Sequence, residues 1–328
     1  MRKSVLFTAI CGLLGCASGV FAQDANHTVS GVTVTVIGHA NDTPARQIER
    51  IGQVDGGGGL ARWDMPVCPS TTGLPAGYND FITQRIGKVA EQVGAPIALK
   101  ACRPNVLIFV TPDPDAFTQR IVKLKAQALA GGRWPVDKIK LAAFAKDPDP
   151  VRWLYLSTAV QASPGGAPVT DPGFPSHAAG VANGGAGACA CGLEAFLGAG
   201  AGPSAPQLGN VIPSRLMPAS EQAFTQAVIV VDAKRIAGLE AGQIADYLAM
   251  VTLAHVKVRS TFGGSDTILN LFADAGSDAS RPAGLRPWDV AYLEGLYKSD
   301  AQRTYGSQVS HIADRMAVEF KQSDAAAK

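Results

Sequence analysis

What this sequence lacks narrows its function first. Charged residues make up 17% of it, and no stretch interleaves basic residues with aromatics as nucleic-acid binders do. Once Arg2 and Lys3 are set aside with the N-terminal segment described below, 29 basic residues become 27, against 27 acidic ones. That balance leaves no long-range field to steer a polyanion, so no nucleic-acid partner is expected. No apolar run beyond the N-terminus approaches the roughly 20 residues that cross a bilayer as a helix, so no transmembrane segment is expected. No internal repeat is visible.

Catalytic motifs are missing too. Gly-x-Ser-x-Gly does not occur. The nearest string, Gly263-Gly264-Ser265-Asp266-Thr267, lacks the closing glycine and follows no strand-like run. It reads as a turn with a helix N-cap at Ser265 or Asp266. The five histidines are His27, His39, His177, His255 and His311. No two of them stand at i, i+4, and His-Glu-x-x-His is absent, so no metal site and no cofactor are expected. His27 and His39 flank a strand-like run and read as exposed polar positions, while His255 closes an apolar helical segment, where an imidazole can bond the last carbonyls. Asp113/Asp115 and Asp147/Asp149 are each split by a proline and read as caps and turns rather than as a glycosidase pair. Gly56–Gly59 is followed by no Gly-Lys-Ser/Thr and is not a phosphate cradle.

What the chain does have is an export signal. Arg2 and Lys3 precede an apolar run from Val5 to Gly15, and Val20-Phe21-Ala22 gives the small-x-small pattern before Gln23. Residues 1–22 therefore read as a cleavable signal peptide, with the mature chain periplasmic or secreted. Leu13-Leu14-Gly15-Cys16 resembles a bacterial lipobox, which gives an alternative, an outer-membrane lipoprotein anchored through Cys16. Of six cysteines, Cys11 and Cys16 leave with the signal. Cys68, Cys102, Cys189 and Cys191 remain, in a compartment that favours disulfides, with three connectivities open. Cys68–Cys102 is the expected pair, because both stand beside structured segments. A loop of that length contributes roughly 3–4 kcal/mol in the chain-entropy model. Cys189-Ala190-Cys191 is then a second disulfide or thiol pair, in the bland reading a local loop staple or one cysteine bridging elsewhere. Its alternative is a soft-metal site for Cu(I), with His177 in the same loop.

Alternating β-branched residues mark a strand at 31–37. Apolar spacing from Asp80 to Val93 predicts a helix closed by Gly94. A strand is expected from Asn105 to Val110, then a helix capped by Asp113 with Pro114 in its first turn, running to about Leu129. A helix near Lys138–Ala145 and a strand from Val151 to Val160 follow. That strand has Trp153 and Tyr155 on one face, with Leu154 and Leu156 near them. Residues 163–213 are rich in Gly, Ala and Pro and read as a partly disordered insertion. Beyond it come a strand at Ala227–Asp232 and helices at about Ala241–Val256, Trp288–Tyr297 and Ala301–Lys321. The domain division is thus 1–22 signal, 23–162 an N-terminal α/β part, 163–213 the insertion, and 214–322 a C-terminal helical part of the same domain. Strands scattered among helices give an α+β class, a mixed sheet with packed helices.

The strings Trp63-Asp64-Met65-Pro66-Val67-Cys68-Pro69, Gln84 to Ala90, Cys102-Arg103-Pro104-Asn105, Ile244 to Met250 and Trp288 to Leu293 resemble an uncharacterised family of secreted proteins from Gram-negative bacteria. That resemblance supports pairing Cys68 with Cys102. More distantly, the order from Val228 to Tyr297 resembles the core of zincin-type metallopeptidases, which would make the fold a degenerate zincin-like one. The helix 241–256 would then present the metal ligands, but its inward positions are Ile244, Leu248 and Val251, so the resemblance lends no catalytic residue. The expected function is an exported envelope protein with a non-catalytic binding or structural role, with Trp63, Trp153 and Trp288 as candidates for a recognition surface and no identified partner. The alternatives are a hydrolase whose site is not visible in the sequence, and a periplasmic thiol or copper protein using Cys189 and Cys191.

Overall fold

A computed structural model describes residues 43–54, 59–100, 102–130, 138–161, 220–258, 262, 266–273, 281–301 and 303–326. The signal peptide, the strand at 31–37, His27, His39, the 163–213 insertion, His177, Cys189 and Cys191 lie outside the described residues.

The elements follow the chain as α1 (Pro44–Ile51), β1 (Pro69–Thr72), α2 (Ala76–Val93), β2 (Val106–Thr111), α3 (Pro114–Ala130), α4 (Lys138–Lys146), β3 (Val151–Gln161), β4 (Ser220–Asp232), α5 (Ala241–Leu253), α6 (Pro287–Lys298) and α7 (Tyr305–Ala326). A short 3-10 turn (Ile268–Phe272) precedes α6. The sheet runs β1-β2-β4-β3. β1, β2 and β4 are parallel, and β3 lies antiparallel on β4. The fold is α+β, with a mixed sheet. β4 sits between β2 and β3, so residues before and after 162–219 share one sheet. The strand ends flanking that stretch, Gln161 and Ser220, are paired with each other.

Side chains alternate across the sheet and so build two apolar layers. Val106, Ile108, Val110, Trp153, Tyr155, Ile229 and Val231 face the core that holds α2, α5 and α6. Leu107, Leu154, Val228 and Val230 face the opposite layer, against Ile121 of α3 and Leu141 and Phe144 of α4. Trp153 and Tyr155 share one face as expected, and Leu154 and Leu156 lie on the opposite one, as the two-residue period requires. The three tryptophans expected as candidates for a recognition surface are core residues: Trp63, Trp153 and Trp288 are all buried, which removes them from any such surface.

Boundaries agree with the apolar spacing where capping chemistry is strong. Gly94 ends α2 with φ 80°, the left-handed conformation expected of a glycine cap. Asp113 accepts from the Ala116 amide at 3.1 Å and Pro114 opens α3. Elements carried by few apolar residues, α1 and the four-residue β1, have no expectation behind them. The expected N-cap at Asp266 is not the one used, because Thr267 accepts from the Leu269 amide; Ser265 lies outside the described residues. Asp266 instead pairs with Arg286 at 2.8 Å.

The disulfide joins Cys68, just before β1, to Cys102, just before β2, with Cα atoms 6.1 Å apart. The Asn105 side chain braces the same corner, accepting from the Cys68 amide at 2.7 Å and donating to the Pro66 carbonyl at 3.0 Å.

α5 is buried on every side from Ile244 to Leu253, and it ends at Leu253 rather than Val256. A buried helix end must find donors for its last carbonyls. Here aromatic side chains supply them: the Tyr155 hydroxyl donates to Val251 O, Trp63 Nε1 to Thr252 O at 2.8 Å, and the Tyr297 hydroxyl to Leu253 O at 2.8 Å. Just beyond, Trp153 Nε1 donates to Val256 O at 3.0 Å. All four donors lie 44 or more residues from the carbonyls they meet, so this helix end closes only in the assembled core.

Candidate functional site

β2 and β4 both end on the same side of the sheet, at Thr111 and Asp232. Ligands of sheets with parallel strands characteristically bind outside their carboxyl ends, where the chain leaves the strands in loops. A crevice of about 710 Å³ lies there, lined by Pro112–Asp115, Lys146–Pro148, Arg152, Asp232, Lys234 and Arg235. Three chain segments meet in it: the turn from β2 into α3, the Asp147-Pro148-Asp149-Pro150 turn before β3, and the turn after β4.

Local turn chemistry fixes each wall. The Asp113 amide donates to Thr111 Oγ1 at 3.3 Å while the Asp113 carboxylate caps α3. Asp147 Oδ1 accepts from the Asp149 amide at 3.1 Å. Asp232 Oδ1 accepts from the Lys234 amide at 2.9 Å and the Arg235 amide at 3.4 Å. These are the short side-chain-to-backbone bonds by which aspartate holds turns. The Arg235 guanidinium then donates to Pro148 O at 2.5 Å, tying the turn after β4 to the turn before β3.

Arg152 is the unusual member. It stands in β3 on the side of Leu154 and Val230, beneath the first turn of α3, and only 4% of it is exposed. Its Nη2 pairs with Asp115 Oδ1 at 2.6 Å and its Nη1 donates to Thr118 Oγ1 at 3.3 Å. Its Nε is buried and has no hydrogen-bond partner among the described residues. A cation here faces the positive end of the α3 dipole, an arrangement that calls for an anion between them.

The two proline-split carboxylate pairs thus act as expected locally, as cap and turn. What the sequence reading missed is that the fold brings Asp113, Asp115 and Asp147 to one crevice with Arg152. One signal was available: a lone arginine between Val151 and Trp153 in an otherwise apolar strand.

Other buried polar groups are committed to packing. Asp246 of α5 accepts from Arg85 of α2, at 2.5 and 3.1 Å, and from the Leu285 amide at 2.9 Å. Asp289 accepts from the Thr267 hydroxyl at 2.5 Å and from the Ile268 and Arg286 amides at 2.8 Å. Burial raises the Asp289 carboxyl to about 6 against those three bonds, which act to lower it. His255 lies beyond the end of α5, edge-on to Tyr155 and Phe224. The final α5 carbonyls, expected to meet its imidazole, accept from Tyr155, Trp63 and Tyr297. Among the described residues no group of three or more His, Cys, Asp or Glu is placed to hold a metal ion, and no helix is long and apolar enough to cross a membrane. No protein-family model, curated protein or solved structure matches this chain.

Proposed function

We propose that this chain is an exported protein that binds a small polar ligand in the crevice at the carboxyl ends of β2 and β4, without transforming it. The observation that carries the reading is the crevice itself: three turns pinned by their own aspartates surround a nearly buried arginine. Such pre-organised charge suits recognition, because little side-chain freedom remains to be lost on binding. Among the described residues that line the crevice none is a serine, cysteine or histidine, so these side chains offer no nucleophile–base couple of the usual kind. The Cys68–Cys102 bond is compatible with an oxidising compartment, and periplasmic or extracellular placement is part of the proposal, as is kinship with the secreted Gram-negative family. We draw no activity from the zincin likeness, because α5 carries no histidine, cysteine or glutamate and its one carboxylate, Asp246, is already engaged by Arg85.

The test is a thermal-shift panel of small polar compounds on the intact protein, with hits mapped by amide hydrogen exchange. The expected result is protection of the amides at 113–117 and 232–236. Protection of another surface, or chemical turnover of the bound compound, would refute this reading.

A further inference from the structure

We propose that the group recognised in this crevice is an oxyanion, a carboxylate or phosphate, seated on Arg152, and that it displaces the side chain of Asp115; the inference rests on the crevice being a binding site. Four cationic side chains line the crevice, Lys146, Arg152, Lys234 and Arg235, and the amino-terminal end of α3 adds partial positive charge. Three of the four lining carboxylates, those of Asp113, Asp147 and Asp232, are turned onto backbone N–H groups of their own turns. Asp115 differs: its carboxylate meets the guanidinium directly, and its side chain is 69% exposed.

The geometry follows from what a guanidinium offers. Arginine presents its N–H donors in a planar fork that matches two oxygens of a carboxylate or phosphate. Here Nη2 is taken by one exposed carboxylate oxygen, Nη1 holds Thr118, and Nε has no partner among the described residues. An incoming oxyanion can take both Nε and Nη2, while Asp115 swings into water from the first turn of α3. Asp115 is thus a resident counterion that keeps Arg152 neutralised until ligand arrives, and a competitor that lowers affinity. The chemistry of the crevice specifies the oxyanion, not the body that carries it.

Sodium phosphate and sodium acetate are the probes, titrated into the full-length mature protein at ionic strength matched with sodium chloride and read by calorimetry and thermal denaturation. Both the wild type and Asp115→Asn should show saturable stabilisation, with affinity in Asp115→Asn higher by about tenfold, the effect of losing one charge-assisted competitor. Arg152→Lys keeps the charge but not the fork, and should weaken binding by about tenfold. Because Arg152→Gln can fail to fold, Asp115→Asn and Arg152→Lys carry the test. A stronger response to phosphate assigns a phosphate ligand and a stronger response to acetate a carboxylate; either supports the proposal. Anions that act no differently from chloride on both the wild type and Asp115→Asn overturn it. If uncharged compounds still protect the crevice amides in that case, the oxyanion assignment alone has failed and the binding reading stands.

Discussion

Two tyrosines in one core should respond oppositely to the same atomic deletion. Tyr155 and Tyr292 are both buried, yet the Tyr155 hydroxyl donates to Val251 O at the end of α5, whereas the Tyr292 hydroxyl has no hydrogen-bond partner among the described residues. Replacing either by phenylalanine removes a single oxygen and opens little space. Tyr155→Phe leaves a buried carbonyl without its donor, which costs about 1–3 kcal/mol. Tyr292→Phe removes a buried hydroxyl that already goes unpaired, so stability should hold or rise by about 1 kcal/mol. The gap of about 2 kcal/mol or more corresponds to roughly 4–8 °C in Tm for a domain of this size. Urea denaturation followed by tryptophan fluorescence and circular dichroism reads it directly, and equal m-values in the two variants confirm that the unfolded state is not what changed. Burial raises both hydroxyls above the ordinary tyrosine range, so neither ionises near neutral pH and the comparison is free of titration. If Tyr292→Phe proves as damaging as Tyr155→Phe, or more so, aromatic donors are not what closes the end of α5.

Two further outcomes follow from the same core. Replacing both Cys68 and Cys102 by serine should cost about 3–4 kcal/mol, given a sequence separation of 34 residues; non-reducing peptide mapping checks the pairing, and a Cys68 or Cys102 peptide linked to Cys189 or Cys191 would contradict it. Asp289 titrates at about 6 when folded against 3.8 as an ordinary aspartate, so the fold takes up a proton as pH falls from about 6 to about 4. Its contribution is greatest below pH 4 and is lost as pH rises through 6, by about 3 kcal/mol at most. Asp289→Asn can still accept the Ile268 and Arg286 amides on one oxygen while donating to the Thr267 hydroxyl. It should therefore flatten that slope without unfolding the protein at pH 7, as urea melts from pH 4 to 7 will show. An unchanged slope would mean that the Asp289 carboxyl does not titrate in that window.

Much of the element order was written in local chemistry. The apolar spacing of α2, the glycine after it, the Asp113-Pro114 start of α3 and the β-branched run in β4 each act over a few residues, so each could be read before any contact between them was known. The Cys68–Cys102 pair was expected among three open connectivities, and only the fold showed that the two cysteines precede the neighbouring strands β1 and β2. α1 and β1 were missed because eight and four residues are too short a window to stand out, and their stability comes from what they pack against. α5 read as an apolar helical segment, but the partners of its buried polar groups, Arg85 for Asp246 and Tyr155, Trp63 and Tyr297 for its last carbonyls, arrive from elsewhere in the chain.

The site divides along the same line. The sequence alone settled that Asp113 and Asp147 stabilise turns, and that no Gly-x-Ser-x-Gly or His-Glu-x-x-His motif is present; these are matters of spacing within the chain. Only the tertiary structure decided that those turns share a crevice with a buried Arg152. Parallel strands β2 and β4 deliver their carboxyl ends side by side even though more than 100 residues separate them, and antiparallel β3 brings its first residues to the same edge. Charges that are unremarkable in sequence thereby become neighbours, and the nearly buried Arg152 meets the carboxylate of Asp115 at 2.6 Å.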